Sequence, residues 1–221
     1  MFLKGVSALK ITPFFFFFGV LDMAIYKART LGIFFRKVAI DYVRYGYFWY
    51  IFREIPEGKN LEKIDKKILA KYGITTERYK RFRLGNLGKR KIAYVRYKRH
   101  FVLIATHGKN EHFDREKFYD VRESPLHFKG YTVSVSKANK PVVKIGKKRW
   151  KRIVEEGDKI SLHNYNKVHG YIKSVGKLKF PGILRQQVKL FQRINKKRRT
   201  AGLPRIKVHP LFKNVSERLK E

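Results

Sequence analysis

IAYVRYKRHFVLIA, residues 92–105, is the stretch where the patterning of this chain turns to period two. Ile92–Tyr97 and Phe101–Ala105 are rich in β-branched and aromatic residues, and only Lys98-Arg99 separates them tightly, so they read as a hairpin. The same period continues downstream. Phe118–Arg122 reads as a strand, and Tyr131–Lys137 alternates strictly, with Tyr131, Val133 and Val135 set against Thr132, Ser134 and Ser136. Asn139-Lys140-Pro141 is a turn and Val142–Ile145 a further strand. An antiparallel sheet of four to five strands is the expectation.

Upstream of the hairpin the period is helical. Ala28, Leu31, Phe35, Val38, Tyr42, Tyr45, Trp49 and Phe52 recur at three- and four-residue steps, which predicts a basic amphipathic helix over about 24–44. The aromatic run after Gly46 continues as helix or switches to a strand. Asn60 is placed to cap a second helix, LEKIDKKILAKY, that Gly73 closes. Thr75 or Thr76 would cap a third, short helix carrying Arg78, Lys80, Arg81 and Arg83. Two helices across a short glycine-containing turn are compatible with a helix-turn-helix.

Downstream, a short helix holds Trp150, Ile153 and Val154 inward, and residues 157–180 read as strand and loop. A helix over 182–201 follows, with Leu184, Val188 and Phe191 as its apolar line and Gly202 and Pro204 as stop signals. The fold class is therefore α+β: basic N-terminal helices, a central antiparallel sheet and a basic C-terminal helix. The spans are 23–90 (helical), 91–180 (sheet with a short helix), 181–204 (C-terminal helix) and 205–221 (tail). Residues 1–22, with the run Phe14–Phe18, read as a non-native extension or leader before Met23. Its apolar stretch is too short to span a membrane.

The 221 residues carry 53 Lys+Arg against 17 Asp+Glu, a formal charge of +36, and 15% are aromatic. Disordered basic tails lack such aromatics, so the charge sits on a folded body. A polyphosphate is the expected counter-charge, which makes DNA or RNA the partner and the cytoplasm the compartment. With no cysteine, disulfides, thiolate catalysis and cysteine-ligated zinc are excluded.

The expected phosphate-binding residues fall in three places. They are Arg78, Lys80, Arg81 and Arg83; Lys147, Lys148 and Arg149 beside Trp150; and Arg185, Lys189, Arg193, Lys196, Lys197, Arg198 and Arg199. From Leu178 to Ile206 there is no Asp or Glu, so the last group lacks the acids that ordinarily intersperse a solvated face. DNA is preferred on the helix pair at 60–84, with a ribosomal or ribosome-associated RNA-binding protein as the alternative. Aromatics interleaved with cations over Tyr94–Phe101 offer a second surface, since a sheet of that composition stacks bases unless its aromatics face the core.

Catalysis is the rival reading. His100, His107, His112, Asp114 and Glu116 could hold a divalent metal for phosphodiester cleavage, as in a nuclease or recombinase, with Tyr119 or Tyr131 as nucleophile. Otherwise no cofactor is expected. A membrane-surface protein held by Phe14–Phe18 and the first helix is a third reading.

Two resemblances add to this. The segment KIAYVRYKRHFVLIATHGKNEHF, residues 91–113, is similar to the strand pair of RelE-like ribosome-dependent ribonuclease toxins. That likeness implies messenger-RNA cleavage by scattered Arg, Lys, His and Tyr side chains. The pieces IPEGKN, IDKKI, KYGI, HFVLIATHG, VRESPLHFKGY and INKKRRTAGLP resemble uncharacterised bacterial proteins of plasmids or mobile elements. No functional residue follows from them.

Overall fold

A computed structural model describes residues 25–74 and 77–207. The expectations for residues 1–22, for Thr75 and Thr76 as caps, for the Arg78 side chain and for the tail beyond residue 207 lie outside the described residues.

The fold is α+β, and its strands divide between two antiparallel sheets. In the first, β1 (Trp49–Glu54), β2 (Ile92–Tyr97), β3 (His100–Ala105) and β4 (Tyr119–Asp120) lie in the order β2-β3-β1-β4. The hairpin forms as its sequence predicts, in register from Ile92↔Ala105 to Tyr97↔His100. The aromatic run after Gly46 resolves as β1, paired along the whole of β3 from Trp49↔Ala105 to Glu54↔His100. In the second sheet β5 (Leu126–Phe128), β6 (Tyr131–Val135) and β7 (Pro141–Ile145) pair in chain order.

Both faces of the first sheet are covered. Val95, Val102 and Ile104 face one core, and Tyr94, Phe101 and Leu103 face the other. The base-stacking reading of Tyr94–Phe101 is corrected by this: Tyr94 and Phe101 are buried, and Tyr97 lies against Phe34 and Phe128.

The first core is closed by α1 (Leu31–Arg36), which Thr30 caps by accepting from the Ile33 N–H at 3.2 Å. The helix begins later than its periodicity predicts, at the Thr30 cap, and at its other end passes into a π-helical turn over Lys37–Tyr42 and a 3₁₀ turn over Val43–Tyr45. A π turn adds a residue to each repeat and rotates the apolar line. Val43 is therefore buried while Tyr45 is exposed. Phe34 and Phe35 meet Phe128 and Tyr131 of the second sheet, with ring centroids 5.2 Å and 5.6 Å apart.

The second core lies under α2 (Leu61–Lys71). Asn60 caps it, accepting from the Glu62 and Lys63 N–H groups, and Gly73 ends it at φ +60°. Leu61, Ile64, Ile68 and Leu69 pack on the sheet. A buried polar network fastens the helix there. Asp65 accepts two hydrogen bonds from the Arg96 Nε and Nη2 donors at 2.8 Å, and one from the Tyr94 hydroxyl at 2.6 Å. Burial, and then the Asp65 carboxylate, push the Tyr94 hydroxyl well above its ordinary range.

The next helix, α3 (Arg78–Asn86), contributes to neither core. The apolar face of α2 is committed to the second core, and α3 follows it across Gly73 without adding to that core. After α4 (Glu111–Asp114) and the second sheet come α5 (Lys147–Ile160), α6 (Tyr165–Ser174) and α7 (Pro181–Thr200). The strand-and-loop reading of 157–180 is corrected here. Asn164 caps α6 by accepting from the Lys167 N–H at 3.0 Å, and Val168 and Ile172 bury its inner face. One core cluster draws residues from α1, both sheets and α5–α7, so these elements share a common interior.

Candidate nucleic-acid interface

The longest helix, α7, starts at Pro181, whose missing N–H costs nothing at a first helical position. It ends in cations, which complement the negative end of the helix dipole. Ile183, Val188, Leu190 and Ile194 bury its inner face. That line lies one position off the predicted one, leaving Leu184 and Phe191 half-buried at its edge.

Side chains of α7 bind backbone on three sides and fix which face looks outward. Gln186 continues the β7 edge as a strand would: its Oε1 accepts from the Ile145 N–H at 2.8 Å and its amide donates to the Ile145 carbonyl at 3.1 Å. Asn195 does the same with Ile206, at 2.9 Å and 3.1 Å, folding the chain after the helix back along it. Arg198 is 2% exposed and donates to the carbonyls of Ser161, His163 and Pro204 at 2.7–2.8 Å. The expectation that Arg198 contacts phosphate is corrected: it is a buried tie between the α5–α6 turn and the segment after α7. A buried charge needs its donors satisfied, and three carbonyls satisfy them.

What α7 leaves outside is a cationic ridge. Arg185, Lys189, Arg193, Lys196 and Arg199 are exposed. Arg185, Lys189, Lys196 and Arg199 have no carboxylate within ion-pairing distance among the described residues. From Arg185 to Arg199 the ridge runs about 21 Å at 1.5 Å per residue, a length matched by about six base pairs of duplex.

Two grooves flank the ridge and share Lys196. One, of about 540 Å³, lies toward the end of α5 and is lined by Asp158, Leu162, Arg193, Lys196, Lys197 and Thr200 among others. The other, of about 290 Å³, holds Phe191, Gln192, Asn195, Lys196, Arg199 and Arg205. Arg205 was not among the expected binding residues, because the 205–221 segment has no pattern; the Asn195–Ile206 pairing is what brings it to the ridge.

Arg193 and Lys197 are not free cations. Asp158 of α5 accepts from Arg193 at 2.6 Å and 2.7 Å and lies 3.0 Å from the Lys197 ammonium. The Arg193 guanidinium, helped by Lys197, holds the Asp158 carboxyl down at about 2, against an opposing effect of burial. Distance in sequence hid this acid: it is 35 residues from Arg193 and outside the acid-free segment.

The other two expected patches are looser. Lys147 and Lys148 are exposed at the start of α5. Arg149 lies over the Tyr131 ring, 4.8 Å from its centroid, and Trp150 packs on the core. The indole is therefore partly covered by its packing on the core. On α3, Lys80 pairs with Glu77 at 2.8 Å, Arg81 is partly covered and lines a small cavity with Tyr42 and Ile74, and Arg83 is exposed.

The residues proposed for catalysis are taken up in ring contacts and ion pairs. His100 lies between Phe52 and Phe128 on one face of the first sheet, 3.6 Å from Glu54. His107 meets the edge of Trp49, and His112 meets Tyr72. Asp114 pairs with Arg90 at 3.0 Å. Glu116 pairs with Arg53 at 2.7 Å and Lys71 at 3.0 Å, and the Lys71 ammonium holds it below the usual carboxylate range. Tyr131 is buried. Among the described residues no three His, Asp or Glu side chains are grouped to hold a metal ion, and no helix is long and apolar enough to cross a membrane.

No family profile matches this chain, and neither a curated protein nor a solved structure is detectably similar to it.

Proposed function

We propose that this protein binds nucleic acid along the outer face of α7, with Arg185, Lys189, Lys196, Arg199 and Arg205 contacting phosphates. The observation that carries the reading is the set of exposed cations on one helix face with no carboxylate partner among the described residues, in a chain of charge +36. Aligned cations of this kind track a phosphate backbone and release its condensed counterions. Such contacts position the protein without reading sequence, so affinity is high and discrimination low. DNA is preferred on the helix pair at 60–84 and on the resemblance to proteins of mobile elements, while phosphate contacts by themselves suit DNA and RNA alike. Lys147 and Lys148 extend the positive surface at the start of α5.

The test is the combined variant Arg185→Gln, Lys189→Gln, Lys196→Gln and Arg199→Gln. All four side chains are exposed, so the thermal midpoint should hold. Binding of a duplex in about 0.1 M salt should weaken by about three to four orders of magnitude, at about 0.9 log unit per lost phosphate contact. Undiminished affinity would contradict the assignment.

A further inference from the structure

The surface of α3 is not explained by a phosphate-binding ridge elsewhere. Arg81 and Leu84 are its partly covered positions, with Arg81 lining a cavity beside Tyr42, Ile74 and Ile92. The opposite face carries Tyr79, Phe82, Arg83 and Asn86, at helical spacings of three and four. Tyr79 is 76% exposed, Phe82 64%, and Leu87 just past the helix 59%. Single exposed apolar residues are ordinary; two rings on one face of a helix that adds nothing to a core are not. The helix contains Arg78, Lys80, Arg81 and Arg83 and no acid, so whatever covers the rings is negative.

Building on the reading of the chain as a nucleic-acid binder, we infer that α3 is a second contact site, for unpaired nucleotides: two adjacent bases stack on Tyr79 and Phe82 while Arg83 meets the phosphate between them. Side chains three apart on a helix stand about 5–6 Å from each other, a gap that neighbouring nucleotides of a single strand can span. An aromatic ring accepts any base face, so the site is indifferent to sequence, and both RNA and single-stranded DNA fit it. A duplex keeps its bases stacked on one another and offers α3 only its phosphates. The prediction is a protein that binds single strands and single-strand/duplex junctions better than α7 alone would allow.

The experiment compares three probes with the full chain: a single-stranded oligonucleotide (as RNA and as DNA), a duplex of equal length, and vesicles of anionic phospholipid. The variant Tyr79→Ala/Phe82→Ala should lose about ten-fold in single-strand affinity per ring removed, while duplex affinity stays within about two-fold. Tyr79→Phe/Phe82→Tyr, which keeps both rings, should restore single-strand binding. The α7 variant described above should weaken both oligonucleotide probes. If it does not and the α3 variant still weakens single strands, the α7 reading fails while this one stands. The inference is overturned if the alanine variant keeps full single-strand affinity, if it loses duplex and single strand equally, or if its only loss is in vesicle binding.

Discussion

At the residue scale, the charges of this molecule divide by what faces them, and no count of lysines and arginines reveals that division. Arg96 and Arg198 are buried and structural; Arg193 and Lys197 are held by Asp158; Arg185, Lys189, Lys196 and Arg199 are left to solvent. Asp65→Asn removes the one carboxylate within ion-pairing distance of the buried Arg96 guanidinium among the described residues, and should cost about 3–5 kcal/mol, read as a fall in the urea midpoint. Asp158→Asn should act in opposite directions on two readouts. Its carboxyl is more acidic in the folded chain than in the unfolded one. The stability it contributes is therefore present above its unfolded pKa of about 3.9 and disappears as pH falls toward about 2. With both partners half-exposed, that contribution is about 1 kcal/mol, and the variant should lose it at neutral pH. Freed from Asp158, Arg193 and Lys197 join the ridge. Nucleic-acid affinity should then rise several-fold and the salt slope steepen by about one to two contacts. A variant that is less stable but no tighter would mean that those two cations do not face the ligand.

At the element scale, legibility followed the number of partners an element needs. The β2–β3 hairpin and α7 could be read almost to the residue, because each is long, strongly periodic and flanked by its own signals: Lys98-Arg99 for one, Pro181 and Gly202 for the other. The break-up of 24–44 could not be read, since a π turn leaves no local mark and only tertiary packing selects it. Nor could α6, whose Asn164 cap follows a stretch with few apolar residues. The ridge itself was legible as cations at helical spacing, but Arg198 fits the same sequence pattern as Arg199. Only the carbonyls of Ser161, His163 and Pro204, distant along the chain or beyond the helix, distinguish them. The seating of α7 yields a prediction of its own. A Cβ at Gly182 would fall inside van der Waals contact of the Val143 carbonyl oxygen on β7. Backbone cannot swing aside as a side-chain end can, so Gly182→Ala should lower stability by about 1–3 kcal/mol, followed by thermal melting. Gly157, where α5 crosses α7, should tolerate alanine better, because there the added carbon meets the flexible end of Leu190.

At the scale of the whole molecule, two cores and their polar ties hold together a body whose like charges repel. The acid-free segment from Leu178 to Ile206 is clipped in place by Gln186, Asn195 and Arg198. A rigid helix with an outer face of unpaired cations is the account's central claim, and the salt dependence of duplex binding tests it most directly. Five phosphate contacts predict a plot of log K against log salt with a slope of about −4 to −5, or steeper where Lys147 and Lys148 take part. Neutralising Arg185, Lys189, Lys196 and Arg199 together should make that slope shallower by about three to four. A flat slope in the native protein, or an unchanged slope in the variant, would contradict it.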